Sequence, residues 1–178
     1  MRIQIRNLQH PLCNDHKVQD KNIGEIVSTL DEKDWILLEA VQADARLPFA
    51  QLARDASLSP PAAAERLRRL EDAGIIRGFH AQVDPAALGL AMNVLIDVQV
   101  RRDDYAKFQK LVSHLTWVLE CHHITGRAAF LVKAAVPDVE GLERLIGVLS
   151  QFGETTTSLI LSTVVKRREF RRKAAFRE

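Results

Sequence analysis

The hydrophobic period of this chain first switches from helix to strand at Asp84-Pro85, and the switch divides it into two separate folding problems. Upstream, apolar residues recur at the three- and four-residue steps of helices: Trp35, Leu38 and Val41, then Phe49, Leu52, Ala53 and Ala56, then Ala63, Leu67 and Leu70. Downstream, Met92, Val94, Ile96, Val98 and Val100 alternate with Asn93, Asp97 and Gln99, the period of a strand with one apolar face. At 178 residues, 47% of them hydrophobic, the chain has enough apolar surface for two small cores.

The helical half carries its own punctuation. Asp31 stands where it can cap a helix whose first turn, Glu32-Lys33-Asp34, is acidic and suits the helix dipole. A second helix from Pro48 to Ala56 is barely two turns long and breaks at Ser57-Leu58-Ser59. Ser59 caps a third helix, with Pro60 in a first-turn position whose N–H would be unpaired in any case. That helix runs to about Ala73, Gly74 ends it, and Ile75 to Val83 reads as a strand region. Stepping 100° per residue puts Ala63, Leu67, Leu70 and Gly74 on one side of it. Pro61, Ala62, Glu65, Arg66 and Arg69 form the opposite stripe. Small side chains at the helix entrance let the backbone approach a DNA groove wall, and arginines one turn apart reach guanine edges or phosphates. Charge alone fits equally well a solvated helix in which Arg66 and Arg69 pair with Glu65 and Asp72. The order of elements around the helix favours DNA.

After the turn Ala86-Ala87-Leu88-Gly89 and the alternating strand, Tyr105 to Leu115 places Phe108, Leu111, Val112 and Leu115 on one helical face. Trp117 to Thr125 and Ala128 to Val136 are strand-like runs separated by Gly126. Val139, Leu142, Leu145, Ile146 and Leu149 mark another helix, and Thr155 to Val165 is a β-branched strand. The resulting order, βαββαβ, is the ferredoxin-like arrangement.

Charge and composition remove several classes of function. The last thirteen residues carry seven Lys/Arg against two Glu, leaving eighteen basic against twenty-one acidic residues elsewhere, so nucleic-acid affinity must come from locally placed cations. The basic tail reads either as a solvated end or as a phosphate contact. No apolar run approaches the roughly 20 residues of a bilayer span, and the N-terminal stretch lacks the apolar core of a signal peptide, so a cytoplasmic protein with no membrane role is expected. Cys13 and Cys121 are too few for a disulfide framework. Glu120-Cys121-His122-His123 invites a metal reading, but strand alternation lets only Glu120 and His122, or Cys121 and His123, share a side, and two ligands do not close a site. No metal, cofactor or catalytic residue is expected, and Cys121 reads as a small core residue.

Leu30-Asp31-Glu32-Lys33-Asp34, Gln42-Ala43-Asp44-Ala45-Arg46, Leu58-Ser59-Pro60, the run Glu65 to Gly78, Val83-Asp84-Pro85, Leu88-Gly89 and Cys121-His122-His123-Ile124-Thr125-Gly126 together resemble the Lrp/AsnC family of feast/famine regulators over residues 30–166. The resemblance implies an α+β protein: an N-terminal winged helix-turn-helix at 30–88, with the motif at about 49–68, and a ferredoxin-like βαββαβ effector-sensing and dimerisation module at 89–166. It leaves an N-terminal extension at 1–29 and a basic tail at 167–178. It further implies a sequence-specific transcriptional regulator, cytoplasmic and nucleoid-associated. Its partners would be double-stranded DNA at a pseudo-palindromic site, an amino acid or other small effector, and further copies of the chain as a dimer that assembles to a tetramer or octamer. The DNA contacts expected are Ser59, Pro61, Ala62, Glu65, Arg66 and Arg69; the effector loop expected is Thr125, Gly126, Arg127 and Ala128.

Two departures stand out. Ser57 occupies a turn position where the family usually has Gly, so a left-handed conformation there would cost roughly 1 kcal/mol. Gly126-Arg127-Ala128-Ala129 lacks the Asp that commonly follows the effector-loop Gly, and Arg127 suits an anion, so an altered ligand or none stays open beside an amino acid. The alternatives are a subunit resembling siroheme decarboxylases, whose His- and Tyr-containing stretch has no counterpart in Gly126–Leu131, and a sensor partner that has lost DNA binding.

Overall fold

A computed structural model describes residues 30–172. The expected N-terminal extension, with Cys13, lies outside the described residues, as does the end of the basic tail. The described chain falls into two compact units, one of residues 30–82 with 165–172 and one of residues 83–164.

The first unit is built on three helices: α1 (Glu32–Ala43), α2 (Phe49–Asp55) and α3 (Pro60–Asp72). Asp31 closes a capping box, accepting from the Asp34 backbone N–H at 2.9 Å while the Asp34 carboxylate accepts from the Asp31 N–H at 3.2 Å. Trp35, Leu38 and Val41 are buried as their spacing predicts, and Leu37 is fully buried beside them because α1 packs on both α2 and α3. Leu52, Ala53 and Ala56 from α2 and Ala63, Leu67 and Leu70 from α3 complete the core.

Ser57 is the one non-glycine residue with positive φ among the described residues, at 52°, so the tight turn between α2 and α3 does demand a left-handed residue. Gly74 (φ 71°) ends the helical segment as its position predicts. Residues Ile75 to Val83, expected as a strand region, form no ladder within the described chain.

The second unit is a four-stranded antiparallel sheet carrying two helices, in the order β1 (Met92–Val98), α4 (Tyr105–Val112), β2 (Val118–His123), β3 (Phe130–Val136), α5 (Val139–Leu149) and β4 (Thr155–Leu159). The strands lie β2-β3-β1-β4, which is the ferredoxin-like arrangement. One face carries the core of Val94, Ile96, Val98, Phe108, Phe130, Val132, Leu145 and Leu149. The helix α4 stops three residues short of the expected Leu115, where the Ser113 hydroxyl donates to the Lys110 carbonyl and tighter turns follow. Strand β4 also ends early: Leu159 pairs with Val94 and the Ile160 N–H donates to Asn93, and the ladder with β1 goes no further although β1 itself continues to Met92. Gly153 (φ 153°) packs so closely beneath the edge of the sheet that an added Cβ would lie 1.9 Å from the Gln99 carbonyl oxygen.

Candidate DNA-binding helix and effector loop

The Ser59 hydroxyl accepts from the Ala62 N–H at 3.4 Å and starts α3 where the Ser-Pro pair predicts. Pro61 and Glu65 are exposed and Ala62 partly so. Ala63, Leu67 and Leu70 hold the opposite side of the helix in the core. This leaves a small-residue entrance followed by a charged stretch, on a helix fixed from behind.

The three arginines of α3 behave differently from one another. Arg66 turns back towards α1, where its Nη1 donates to Asp31 Oδ2 and to Asp34 Oδ1, each at 2.7 Å. Its side chain is 24% exposed and that of Asp34 only 4%, so this is a largely desolvated tie between the start of α1 and the middle of α3. The Asp34 backbone N–H and then the guanidinium of Arg66 hold the Asp31 carboxyl below the usual carboxylate range, and both aspartates in turn raise Arg66. Arg68, which the helical-stripe reading leaves aside, bridges Glu65 at 2.7 Å and Asp72 at 3.1 Å along the exposed surface. The Glu65–Asp72 pairing considered for Arg66 and Arg69 therefore belongs to Arg68, whose hydrogen bond lowers the Glu65 carboxyl. Arg69 is 59% exposed, and its Nη2 makes a loose 3.7 Å ion pair with Asp34 Oδ1, the same carboxylate oxygen that Arg66 binds.

In the second unit the turn between β2 and β3 has Gly126 at φ 121°, a conformation that side-chain-bearing residues rarely adopt. The Ile124 N–H donates to Ala129 and the Ala129 N–H to Val98, which fixes the loop base against β1. Thr125, Arg127 and Ala128 line an open depression of about 370 Å³. Asp97 and Gln99 of β1 and its extension, Ile124, and Thr156 of β4 line it too. Asp97 is the residue that the loop sequence alone could not supply: a carboxylate from a neighbouring strand, facing the same depression as Arg127. Alternation along β1 does signal that Asp97 points away from the core, but it does not say that this side meets the loop.

The Glu120-Cys121-His122-His123 run is drawn into other contacts. Glu120 bridges Lys133 at 2.7 Å and His122 at 3.1 Å, and Lys133 is the first cause of its lowered carboxyl. Cys121 packs against the sheet core, and the His123 ring lies 5.2 Å from Tyr105 and 5.0 Å from Phe130.

Residues 30–71 match the family model of the AsnC-type helix-turn-helix domain, and residues 93–170 that of the Lrp/AsnC ligand binding domain. The HTH-type transcriptional regulator LrpC of Bacillus subtilis is 33% identical over 76% of this chain and 94% of its own length. The leucine-responsive regulatory protein of Escherichia coli is 31% identical over 76% of this chain and 87% of its own. The solved structure of B. subtilis LrpC superposes with a TM-score of 0.74 at 32% identity, over 78% of this chain and 99% of that one. A transcriptional regulator from Neisseria meningitidis, solved as a complex with L-methionine, gives 0.77 at 28% identity, over 83% of this chain and all of that one.

Proposed function

Because the chain belongs to the Lrp/AsnC family of DNA-binding transcriptional regulators, we propose that it reads DNA through the outward face of α3, inserted in the major groove. The observation that carries this reading is the α3 surface itself: a small-residue entrance, a fixed rear face, and a largely exposed Arg69 held only by a loose ion pair to Asp34. Ser59, Pro61 and Ala62 let the backbone approach the groove wall, Glu65 stands beside a base edge, and Arg69 reaches a guanine or a phosphate. Arg66 acts through α1: its tie to Asp31 and Asp34 fixes the angle at which α3 is presented. The test is Arg69→Ala, which is expected to weaken binding and relax selectivity with the fold intact; selective binding at wild-type strength would remove Arg69 from the interface.

The effector is an amino acid held in the depression beside Gly126, its ammonium group on Asp97 and its carboxylate on Arg127. This pairing answers the missing loop carboxylate. Calorimetric titration with a panel of amino acids is expected to give binding that Asp97→Asn and Arg127→Ala each abolish; binding undiminished in both variants would locate the effector elsewhere.

The working unit is a homodimer that assembles further and places two α3 helices on half-sites about one helical turn apart. The helix-free face of the sheet, where Leu95 and Leu131 lie among Asp97, Lys133 and Glu120, supports pairing through the second unit. Such a protein acts in the cytoplasm, associated with the nucleoid, as a regulator and not as an enzyme.

A further inference from the structure

The first unit is an unpromising DNA ligand by charge. Residues 30–82 contain seven Lys/Arg against nine Asp/Glu, a net charge of −2. Of its seven cations, Arg66 is tied to Asp31 and Asp34, and Arg68 to Glu65 and Asp72. A domain of this balance gains little from the phosphate attraction that supplies most non-specific affinity for DNA.

The chain returns to this unit at its other end. Residues 165–172 lie along α1, held by a reciprocal pair of hydrogen bonds: Gln42 Nε2 donates to the Phe170 carbonyl at 3.0 Å, and the Phe170 N–H donates to Gln42 Oε1 at 2.9 Å. A side-chain amide here takes the place of a neighbouring strand's peptide group. The Arg172 N–H adds a third bond, to Glu39 Oε1 at 3.2 Å. Phe170 and Arg167 border a groove of about 660 Å³ whose walls include Trp35, Leu38 and Val41 of α1 and Ile76 and Phe79 beyond α3. All three bonds use the backbone of the segment, so its side chains are spared for other work. Lys166, Arg167, Arg168, Arg171 and Arg172 are all exposed, opposed within the segment by Glu169 alone, which lies 3.6 Å from Arg171. With residues 165–172 included, the unit carries twelve Lys/Arg against ten Asp/Glu, and its net charge becomes +2.

We propose that the C-terminal segment is a docked part of the DNA-binding surface: Gln42 and Glu39 fasten it to α1 so that its cations contact the phosphate backbone, supplying charge that the helix-turn-helix lacks. The inference rests on the reading of α3 as the DNA-reading helix, to which it adds a sequence-independent contact. Two such contacts contribute about 1.8 to the slope of log affinity against log salt, which is about a twelvefold change in affinity between 50 and 200 mM salt.

The experiment measures binding of the full chain to a selected duplex across that salt range. It compares wild type with a variant carrying K166Q, R167Q, R168Q, R171Q and R172Q, and with Gln42→Ala, the melting temperature of each serving as a control for folding. Both variants are expected to show a shallower salt slope, by about two units, with the preferred DNA sequence unchanged. An unchanged slope in the five-fold variant overturns the proposal, and so does tighter binding, which would make the segment an inhibitor. A shallower slope in the five-fold variant with none in Gln42→Ala overturns the docking, leaving a free basic arm. If the wild-type chain selects no duplex at all, the α3 reading itself fails, an outcome distinct from each of these.

Discussion

Replacing Arg66 with Ala separates a structural from a DNA-contacting role for that residue. The substitution removes two 2.7 Å charge-assisted hydrogen bonds, but the two acceptors lose unequally. Asp31 has a half-exposed side chain and keeps the Asp34 N–H, so water replaces Arg66 there at little cost. Asp34 is 4% exposed; it retains the Asp31 N–H on Oδ2, but the cation nearest to Oδ1 becomes Arg69, whose 3.7 Å approach is too long for a hydrogen bond. A buried carboxylate stripped of its partner costs about 3–5 kcal/mol, and the surviving capping bond brings the expected loss to about 2–4 kcal/mol. Urea unfolding at fixed protein concentration measures it, followed by the fluorescence of Trp35, which lies in the same core. Trp117, in the other unit, is replaced by Phe to remove its signal. Asp34→Ala with Arg66→Met should recover much of the loss, because an apolar pair leaves no charge unmatched. A loss under about 1 kcal/mol accompanied by a selective loss of DNA binding would refute the tie and return Arg66 to the groove.

Three further outcomes follow from local geometry. Ser57→Gly should stabilise the first unit by about 0.5–1 kcal/mol in the same assay, since it relieves a left-handed backbone at φ 52°; destabilisation would mean that the Ser57 side chain matters more than its backbone. Gly153→Ala should cost about 3 kcal/mol or more, or prevent folding, because its Cβ would strike the Gln99 carbonyl; a wild-type melting temperature would contradict this packing. The Asp31 carboxyl is held low in the folded state, so its stabilising contribution is full above the unfolded carboxylate value and is lost as pH falls through the lowered folded value. The stability difference between wild type and Asp31→Asn should therefore stay level from about pH 7 to pH 5 and shrink below about pH 4; shrinkage at higher pH would contradict the assignment.

Much of the fold is legible because it is written locally. Asp31, the Ser59-Pro60 pair and Gly74 act on neighbouring backbone, and the change of period at Asp84-Pro85 separates a helical unit from a sheet without knowledge of either tertiary structure. The outward stripe of α3 is legible in the same way, since Ala63, Leu67 and Leu70 assign the inward face. What escapes is the partner of a side chain reaching out of its own element. Helical stepping places Arg66 opposite the core but cannot reveal that α1, more than thirty residues earlier, presents Asp31 and Asp34 within its reach. Asp97 is hidden similarly, because its facing the same depression as Arg127 depends on strand order. The β-branched run to Val165 looks like strand throughout, yet a ladder needs a partner and the pairing with β1 stops at Leu159. Beyond it the chain turns to α1, where it is held by Gln42 and Glu39, ordinary helix-surface residues in the sequence.

The central claim, that α3 reads DNA, is tested most directly by selecting bound fragments from genomic DNA with the wild-type chain and with Arg69→Ala in parallel. The account predicts enrichment of a pseudo-palindromic site by the wild type, its half-sites about one helical turn apart, and loss of information at symmetric positions in the variant. No enrichment by the wild type, or an identical motif recovered at equal strength by Arg69→Ala together with Pro61 and Ala62 variants, would contradict it.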